Sequence, residues 1–172
     1  MTILKILKEP DPILRKKSKE VDKVDDQVRL LMDNMIETMY QAPGIGLAAS
    51  QVGILKRIIV IDLSKDDEKK NPIFIVNPKI IWKSEERSSR EEGCLSLPGY
   101  FAEVTRPSKC KLEFLDYHGK KKELEADDLM ATCIQHEVDH CDGILFIDYL
   151  SKLKKDMIIK KLIKSKKEDQ IL

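Results

Sequence analysis

The chain has 172 residues, of which 42% are hydrophobic, and its 31 lysine and arginine residues nearly balance its 30 acidic residues. This length suits one domain that buries about 70% of its unfolded surface without disulfides or a structural metal. The small net charge argues against a dedicated DNA-binding or membrane protein, and no apolar run reaches the length of a membrane span. Because the first residues lack a signal peptide, we expect a cytoplasmic protein whose four cysteines are free thiols.

A long helix is predicted first, over residues 25–41. Apolar residues recur there at three- and four-residue spacing, Asp25 or Asp26 can cap the start, and Pro43-Gly44 would end the helix. The pattern then changes to apolar runs bounded by turn signals, which is typical of strands. These predicted strands cover residues 57–63, 73–82, 109–116 and 121–125.

A second long helix is predicted from Asp127 or Asp128 to about Cys141, and an amphipathic, lysine-rich helix at about 151–166. No repeat or linker divides the chain, so we expect one catalytic domain over 1–172. The fold class expected is α+β, in which mostly antiparallel sheets surround the second helix and further helices lie near both termini.

The second predicted helix contains the sequence His-Glu-Val-Asp-His at 136–140. On a helix the two histidines lie on one face about 6 Å apart, so both imidazoles can bind one metal ion while Glu137 stands beside it as a base. Two of the chain's three histidines are found here. The pattern predicts a functional metal site, with a pair of surface histidines as the alternative.

A tetrahedral metal that keeps one position open for water needs a third protein ligand. Phe146 occupies the place of the third histidine in the long metalloprotease pattern, and its side chain cannot bind metal. A carboxylate would have to come from Asp148, Asp156 or Glu168, the last two among lysines. The downstream sequence therefore offers no obvious third ligand.

The cysteines are the other source of a ligand. Cys133 lies seven residues from the second motif histidine, about 10.5 Å along the helix, which is too far for a shared metal. Cys141 lies about 100° around the helix from that histidine, and Cys110 alternates within a strand pattern. Cys94 is predicted to lie on irregular backbone within residues 92–99, where glycines and a proline permit close approach to another element. Cys94 is therefore the best candidate, with a plain structural cysteine as the alternative.

Three separated segments resemble the signatures of the peptide deformylase family, in order and at similar spacing, and the bacterial type 1 members in particular. They are residues 44–51, 92–96 and 135–140, and the flanking residues 123–127 and 145–150 are also similar. The resemblance implies a hydrolase of protein biosynthesis that removes the formyl group from the N-terminal formyl-methionine of nascent polypeptides and releases formate.

The resemblance also assigns the metal centre. Cys94, His136 and His140 match the metal ligands, and Glu137 matches the catalytic acid and base. The implied cofactor is one divalent metal ion, Fe²⁺ by resemblance, with Zn²⁺, Ni²⁺ or Co²⁺ as possible occupants. In this mechanism Glu137 assists the attack of metal-bound water on the formyl carbon and delivers a proton to the departing amine.

Further residues match the family's groups around the reacting formyl group. The side-chain amide of Gln51 and the backbone N–H of Leu95 match an oxyanion hole, although a buried glutamine that satisfies backbone groups is the alternative for Gln51. Arg106 and Asp139 are candidates for an orienting ion pair behind the site, or for plain surface charges. The candidate substrate-binding residues are Ile45, Gly46, Glu92, Gly93, Leu129 and Cys133, with ordinary core as the alternative for the apolar members. For Glu92 the alternative is that it supports a metal ligand from behind.

The lysine-rich last helix resembles the family's ribosome-docking tail. Attraction to ribosomal RNA would make such binding salt-sensitive, and a solvated surface helix is the alternative. Two positions depart from the family pattern. Phe101 stands where many bacterial relatives carry an arginine at the cleft rim, which leaves the peptide preference beyond methionine open. Cys141 replaces a common leucine and adds an oxidation-sensitive thiol.

Two other functions are compatible with the metal motif. Another metal hydrolase would share the water chemistry but show no preference for formyl-methionine. A non-catalytic binding protein would close the metal site with a fourth ligand, for which Cys110 is the candidate, and would not need Glu137.

Overall fold

The structure is a computed structural model and describes residues 1–171. Within that part of the chain, three α-helices and seven strands form the fold. The helices are α1 (Asp26–Gln41), α2 (Asp128–Cys141) and α3 (Lys152–Ile171). The strands are β1 (Gly46–Ala48), β2 (Ile58–Ile61), β3 (Ile73–Lys83), β4 (Arg87–Cys94), β5 (Leu97–Pro107), β6 (Lys109–Leu115) and β7 (Lys121–Asp127). Short 3-10 turns cover Pro12–Arg15, Ala49–Val52 and Phe146–Tyr149.

The main sheet has five antiparallel strands in the order β1-β2-β3-β6-β7 and lies between α1 and α2. Side chains alternate between the two faces of a strand. In β2, Ile58 and Val60 therefore join the core against α1, whereas Ile59 and Ile61 join the core against α2. Burial on both faces explains why this strand is a continuous apolar run.

A second sheet consists of the hairpin β4-β5. The prediction of irregular backbone over residues 92–99 is wrong for most of the segment, because β4 continues to Cys94 and β5 begins at Leu97. The register shifts between Gly93 and Cys94, so the irregularity is limited to a bulge and the two-residue turn that follows. The first part of β4 is polar and largely exposed, and it therefore lacks the apolar alternation by which strands are recognised.

The helices begin and end near the predicted positions. Asp25 caps α1 by accepting a hydrogen bond from the backbone N–H of Val28 at 2.9 Å. Asp127 occupies the N-cap of α2 without a side-chain hydrogen bond. Helix α3 extends to Ile171, beyond the predicted end at 166. The α+β fold class is confirmed, with α2 at the centre and helices towards both termini.

The third hydrophobic cluster connects the hairpin to the last helix. Leu97 and Val104 of β5 pack with Phe146 and with Leu162 of α3. In the described residues, the helices are too short or too polar to cross a membrane.

Gly143, which follows α2, is expected to be essential for stability. Its φ is +74°, and an added Cβ would lie 2.4 Å from the carbonyl oxygen of Arg15, a backbone atom that cannot rotate away. We expect Gly143→Ala to lower the free energy of unfolding by about 3 kcal/mol, because left-handed strain and a backbone clash combine. Urea unfolding followed by circular dichroism measures this change.

Gly99→Ala is the matched control for that substitution. Gly99 has a similar φ of +83°, but nothing lies within 4 Å of an added Cβ. The Gly99→Ala variant should lose only the part of the unfolding free energy that comes from left-handed strain, about 1 to 2 kcal/mol. Equal losses in the two variants would contradict the role given to the contact with Arg15.

Candidate metal centre

Cys94, His136 and His140 come together where the end of β4 meets the buried face of α2. One ligand atom from each residue lies within 4.8 Å of the other two, and Cys94 Sγ is 3.3 Å from His140 Nε2. Ligand atoms around a tetrahedral ion lie roughly 3.3 to 3.8 Å apart, given bonds of about 2.0 to 2.3 Å. The three residues therefore form a possible metal site with one sulfur and two nitrogen donors.

The protonation of the two imidazoles differs because their surroundings differ. Burial and the neighbouring His136 hold the pKa of His140 well below its usual range, so His140 is neutral, as a metal ligand must be. Burial alone would lower the pKa of His136, but hydrogen bonds with Cys94 and Glu92 outweigh it and raise the pKa to about 10. A metal ion that binds His136 must therefore displace a proton.

Glu92 orients His136 from behind. Its Oε1 lies 2.9 Å from His136 Nδ1, which leaves Nε2 free to face the metal position. Arg106 donates two hydrogen bonds to the same carboxylate, at 2.7 and 2.9 Å. Burial would raise the pKa of Glu92, but the bonds from His136 and Arg106 outweigh it and lower the pKa. Glu92 thus stays ionised beside the imidazole, which agrees with the supporting role considered for it, and it also lines the cavity described below.

The predicted pair of Arg106 and Asp139 is present in the structure, with Arg106 Nη1 donating to Asp139 Oδ2 at 2.8 Å. Tyr149 also donates to Asp139 Oδ2, at 2.7 Å, and its ring lies 4.7 Å from the guanidinium carbon of Arg106. Tyr149 was not among the predicted site residues. Its ring contact with Arg106 joins residues 43 positions apart, and no local pattern marks it.

Glu137 is buried beside the two histidines and faces β1. Its Oε2 has no hydrogen-bond partner among the described residues. Burial raises the pKa of Glu137 to about 7. An added Cβ on Gly46 would lie 2.7 Å from Glu137 Oε1, so only glycine leaves room for the carboxylate there. A carboxyl group with such a pKa can both accept and donate a proton near neutral pH.

The orientation of the Gln51 amide follows from its hydrogen bonds. Oε1 accepts from the backbone N–H of Ala48 at 3.0 Å, so Nε2 must point the other way. There Nε2 donates to Ser96 Oγ at 3.1 Å and lies 3.4 Å from Cys94 Sγ. Both interpretations of Gln51 therefore apply. Its amide oxygen satisfies one backbone N–H, and its N–H donors point towards the ligand cluster. Ser96, which the sequence analysis missed, holds this amide.

A cavity of about 640 Å³ opens onto these groups. Its volume lies within the usual range for sites that bind small molecules or peptide side chains. Arg106 and Asp139 are not in its lining and lie behind the site, whereas His140 belongs to the ligand cluster but is covered from the cavity. The lining contains these predicted residues: Ile45, Gly46, Gln51, Glu92, Gly93, Cys94, Leu95, Leu129, Cys133, His136 and Glu137.

The other cysteines lie apart from the ligand cluster. Cys110 and Cys141 are buried in the core between the main sheet and α2, and Cys133 forms part of the cavity wall. Burial raises the pKa of all three thiols, to about 12 for Cys141, so they remain protonated. The alternative of a closed site completed by Cys110 has no geometric support in this arrangement.

Comparisons with known proteins agree with this geometry. The family model described as polypeptide deformylase matches residues 3–156. A peptide deformylase from Pelagibacter ubique is 60% identical over 96% of both chains. One from Rhizobium meliloti is 53% identical over 97% of this chain and 96% of its own.

Solved structures show the same similarity. The crystal structure of peptide deformylase from Ehrlichia chaffeensis has a TM-score of 0.93 and 42% identity, and the match covers 98% of this chain and 99% of that one. A second structure from the same organism, in complex with actinonin, has a TM-score of 0.92 at 44% identity over 96% of this chain and 98% of its own. The similarity extends over nearly the whole fold.

Proposed function

Since this chain belongs to the polypeptide deformylase family and is therefore a hydrolase, we propose that it removes the formyl group from the N-terminal formyl-methionine of nascent polypeptides and releases formate. The observation that carries the proposal is the convergence of three elements on one cavity. Helix α2 contributes the histidines and Glu137, β4 contributes Cys94, and the turn after β1 contributes Gln51.

We propose that Cys94, His136 and His140 hold one divalent metal ion. The fit rests on their donor set, on their burial and on the carboxylate of Glu92 behind His136. A divalent cation held there lowers the pKa of water and polarises a carbonyl group. Fe²⁺ is the proposed ion in the cell, and Zn²⁺, Ni²⁺ and Co²⁺ are alternative occupants, because thiolate and imidazole donors suit all four.

Glu137 is the proposed acid and base. It takes a proton from the water that attacks the formyl carbon and gives a proton to the methionine nitrogen as the C–N bond breaks. The products are formate and a free amino terminus. Its elevated pKa and its unpartnered Oε2 support both transfers.

The developing negative charge on the formyl oxygen needs donors that are already in place. We propose the side-chain amide of Gln51 and the backbone N–H of Leu95 for this role. Hydrogen bonds with Ala48 and Ser96 fix the Gln51 amide, so its donor needs little reorientation when the negative charge develops. Leu95 lies in the turn directly after Cys94 and lines the same cavity.

The substrate backbone is proposed to pair with the free edge of β1. Among the described residues this strand is at the end of the main sheet and pairs with β2 alone, and its first residue Gly46 and the preceding Ile45 line the cavity. An extended peptide can add to such an edge by main-chain hydrogen bonds. The methionine side chain would enter the cavity against Leu129 and Cys133, which are also in its lining.

Formate release from formyl-Met-Ala-Ser tests the function. The protein would be prepared anaerobically with Fe²⁺ or Ni²⁺, and acetyl-Met-Ala-Ser and free Met-Ala-Ser would serve as controls. We expect release of formate and no hydrolysis of the acetyl peptide or of the free-amine peptide. Equal hydrolysis of the acetyl peptide, or cleavage of the free-amine peptide, would instead indicate a general amidase or an aminopeptidase.

We further propose that α3 binds ribosomal RNA transiently. The helix carries eight lysines and only three acidic residues, and Lys160, Lys161 and Lys164 are exposed. Replacing these three with glutamine should weaken cosedimentation with ribosomes several-fold, and added salt should weaken the wild type similarly. The same replacement at the exposed lysines 120, 121 and 122 is the matched control. Equal cosedimentation of both variants and the wild type would rule out the docking role.

A further inference from the structure

Arg106 connects the two elements that supply the ligand cluster. Its Nε and Nη2 donate to Glu92 of β4 at 2.7 and 2.9 Å, and its Nη1 donates to Asp139 of α2 at 2.8 Å. Strand β4 ends at Cys94, and α2 carries both histidines. The guanidinium is planar, so the directions of its N–H groups are fixed relative to one another. These bonds therefore set the position of β4 relative to α2, and with it the position of the thiol relative to the imidazoles.

Tyr149 is the outer end of this network. Its hydroxyl donates to Asp139 Oδ2 at 2.7 Å, the same oxygen that accepts from Arg106. Its ring lies 4.7 Å from the guanidinium carbon, a distance at which a cation and an aromatic face attract each other. Partial burial and the neighbouring Asp139 raise the pKa of Tyr149 to about 12, so the hydroxyl keeps its proton and can donate. Both ends of the side chain thus hold the bridge formed by Arg106.

The 3-10 turn that carries Tyr149 is fixed by its other side chains. Asp148 accepts hydrogen bonds from the backbone N–H of Leu145 at 3.0 Å and from Arg15 Nη1 at 2.7 Å. Its Oδ1 also lies 2.7 Å from Lys155 Nζ, near the start of α3. Because the preceding residue is held from three directions, the position of Tyr149 is well defined although its side chain is 50% exposed.

We propose that Tyr149 is a positioning residue for the metal centre, an inference that rests on the proposed metal site. It holds the Arg106 bridge, and the bridge keeps Cys94 and His136 at the separation that a metal ion requires. Loss of a group behind a metal ligand typically lowers metal affinity 10- to 100-fold. Tyr149 acts through Asp139 and Arg106, so we expect the low end of this range, about tenfold when both of its contacts are lost and about threefold when only the hydroxyl is lost.

The Zn²⁺ affinity of the full chain tests this role. It would be measured by competition with a chromophoric chelator at constant pH, with the thiols kept reduced by a phosphine. Tyr149→Phe, which keeps the ring, should bind Zn²⁺ about threefold more weakly than the wild type, and Tyr149→Leu about tenfold more weakly. In an Asp139→Ala background, Tyr149→Phe should have little further effect, because the acceptor of its hydroxyl is gone.

Tyr117→Phe is the matched control. It also removes a hydrogen bond from a tyrosine to an aspartate, here to Asp33 Oδ2 at 3.1 Å, and neither residue is in the cavity lining. This variant should bind Zn²⁺ like the wild type. The urea midpoints of metal-free Tyr117→Phe and Tyr149→Phe should fall by similar small amounts, because each variant loses one bond of the same kind. Metal affinity then distinguishes a role in positioning the ligands from a plain structural bond.

Three results would overturn this inference and leave the proposed deformylation intact. They are wild-type affinity in both Tyr149 variants, equal weakening of Zn²⁺ binding by Tyr117→Phe, and a full effect of Tyr149→Phe in the Asp139→Ala background. If the wild type binds no Zn²⁺, the proposed metal site itself fails, and the positioning role fails with it.

Discussion

Replacing Glu137 with glutamine should lower kcat for formate release by about a thousandfold. The substitution keeps the size of the side chain but removes the group that accepts and donates the proton, and general acid and base catalysis typically contributes 10² to 10⁴ in rate. The side chain is buried between α2 and Gly46, so glutamine fits without a cavity. Initial rates with formyl-Met-Ala-Ser measure the loss.

Measurements of metal content and stability distinguish a loss of catalysis from a loss of the metal or of the folded structure. Glu137 is not among the three ligand residues, so the Glu137→Gln protein should bind one metal ion per chain, as measured by elemental analysis. Its urea midpoint should remain near that of the wild type or rise, because burial disfavours the charged carboxylate. Turnover comparable to the wild type would exclude Glu137 as the acid and base.

Replacing Cys94 with alanine should remove bound metal and abolish formate release. Two histidines alone leave an incomplete ligand set, and the thiolate is the only anionic ligand in the proposed site. A chelator should also inactivate the wild type, and anaerobic Fe²⁺ should restore it. The same addition should leave Cys94→Ala inactive, with activity reduced at least about a thousandfold.

Cys110→Ala is the matched control for the loss of a thiol. Cys110 is buried in the core between the main sheet and α2, apart from the ligand cluster. This variant should keep its metal and its activity, with at most a modest loss of stability. If Cys94→Ala kept one metal ion per chain and Cys110→Ala lost it, the ligand assignment would be wrong.

Local patterns in the sequence predict the helix that carries the two histidines and Glu137. The spacing of His136, Glu137 and His140 places all three within little more than one helical turn, and α2 forms as expected. The spacing of apolar residues likewise identifies α1 and the strands β2, β3 and β6, of which β2 is buried throughout. In these elements the periodicity of the sequence and the direction of burial agree.

The sequence does not predict the parts of the site that depend on distant contacts. The hairpin β4-β5 is missed because its first strand is polar, and the bond between Glu92 and His136 joins residues 44 positions apart. Tyr149 and Ser96 are missed for the same reason, because their contacts with Arg106 and Gln51 are distant in the chain. Cys94 is found only by the search for a third ligand and by family resemblance. Residues that support a site leave no periodic signal, because their role is fixed by three-dimensional packing.

The position of β2 has a consequence for the dynamics of the protein. Its two faces are covered by the cores against α1 and α2, and its edges pair with β1 and β3. Amide hydrogens in such a strand exchange with solvent only when the whole domain opens, whereas those of the largely exposed α3 exchange through local fraying. The slowest-exchanging amides of β2 therefore report the global opening free energy, and any slowing there on metal binding measures how strongly the metal stabilises the entire fold.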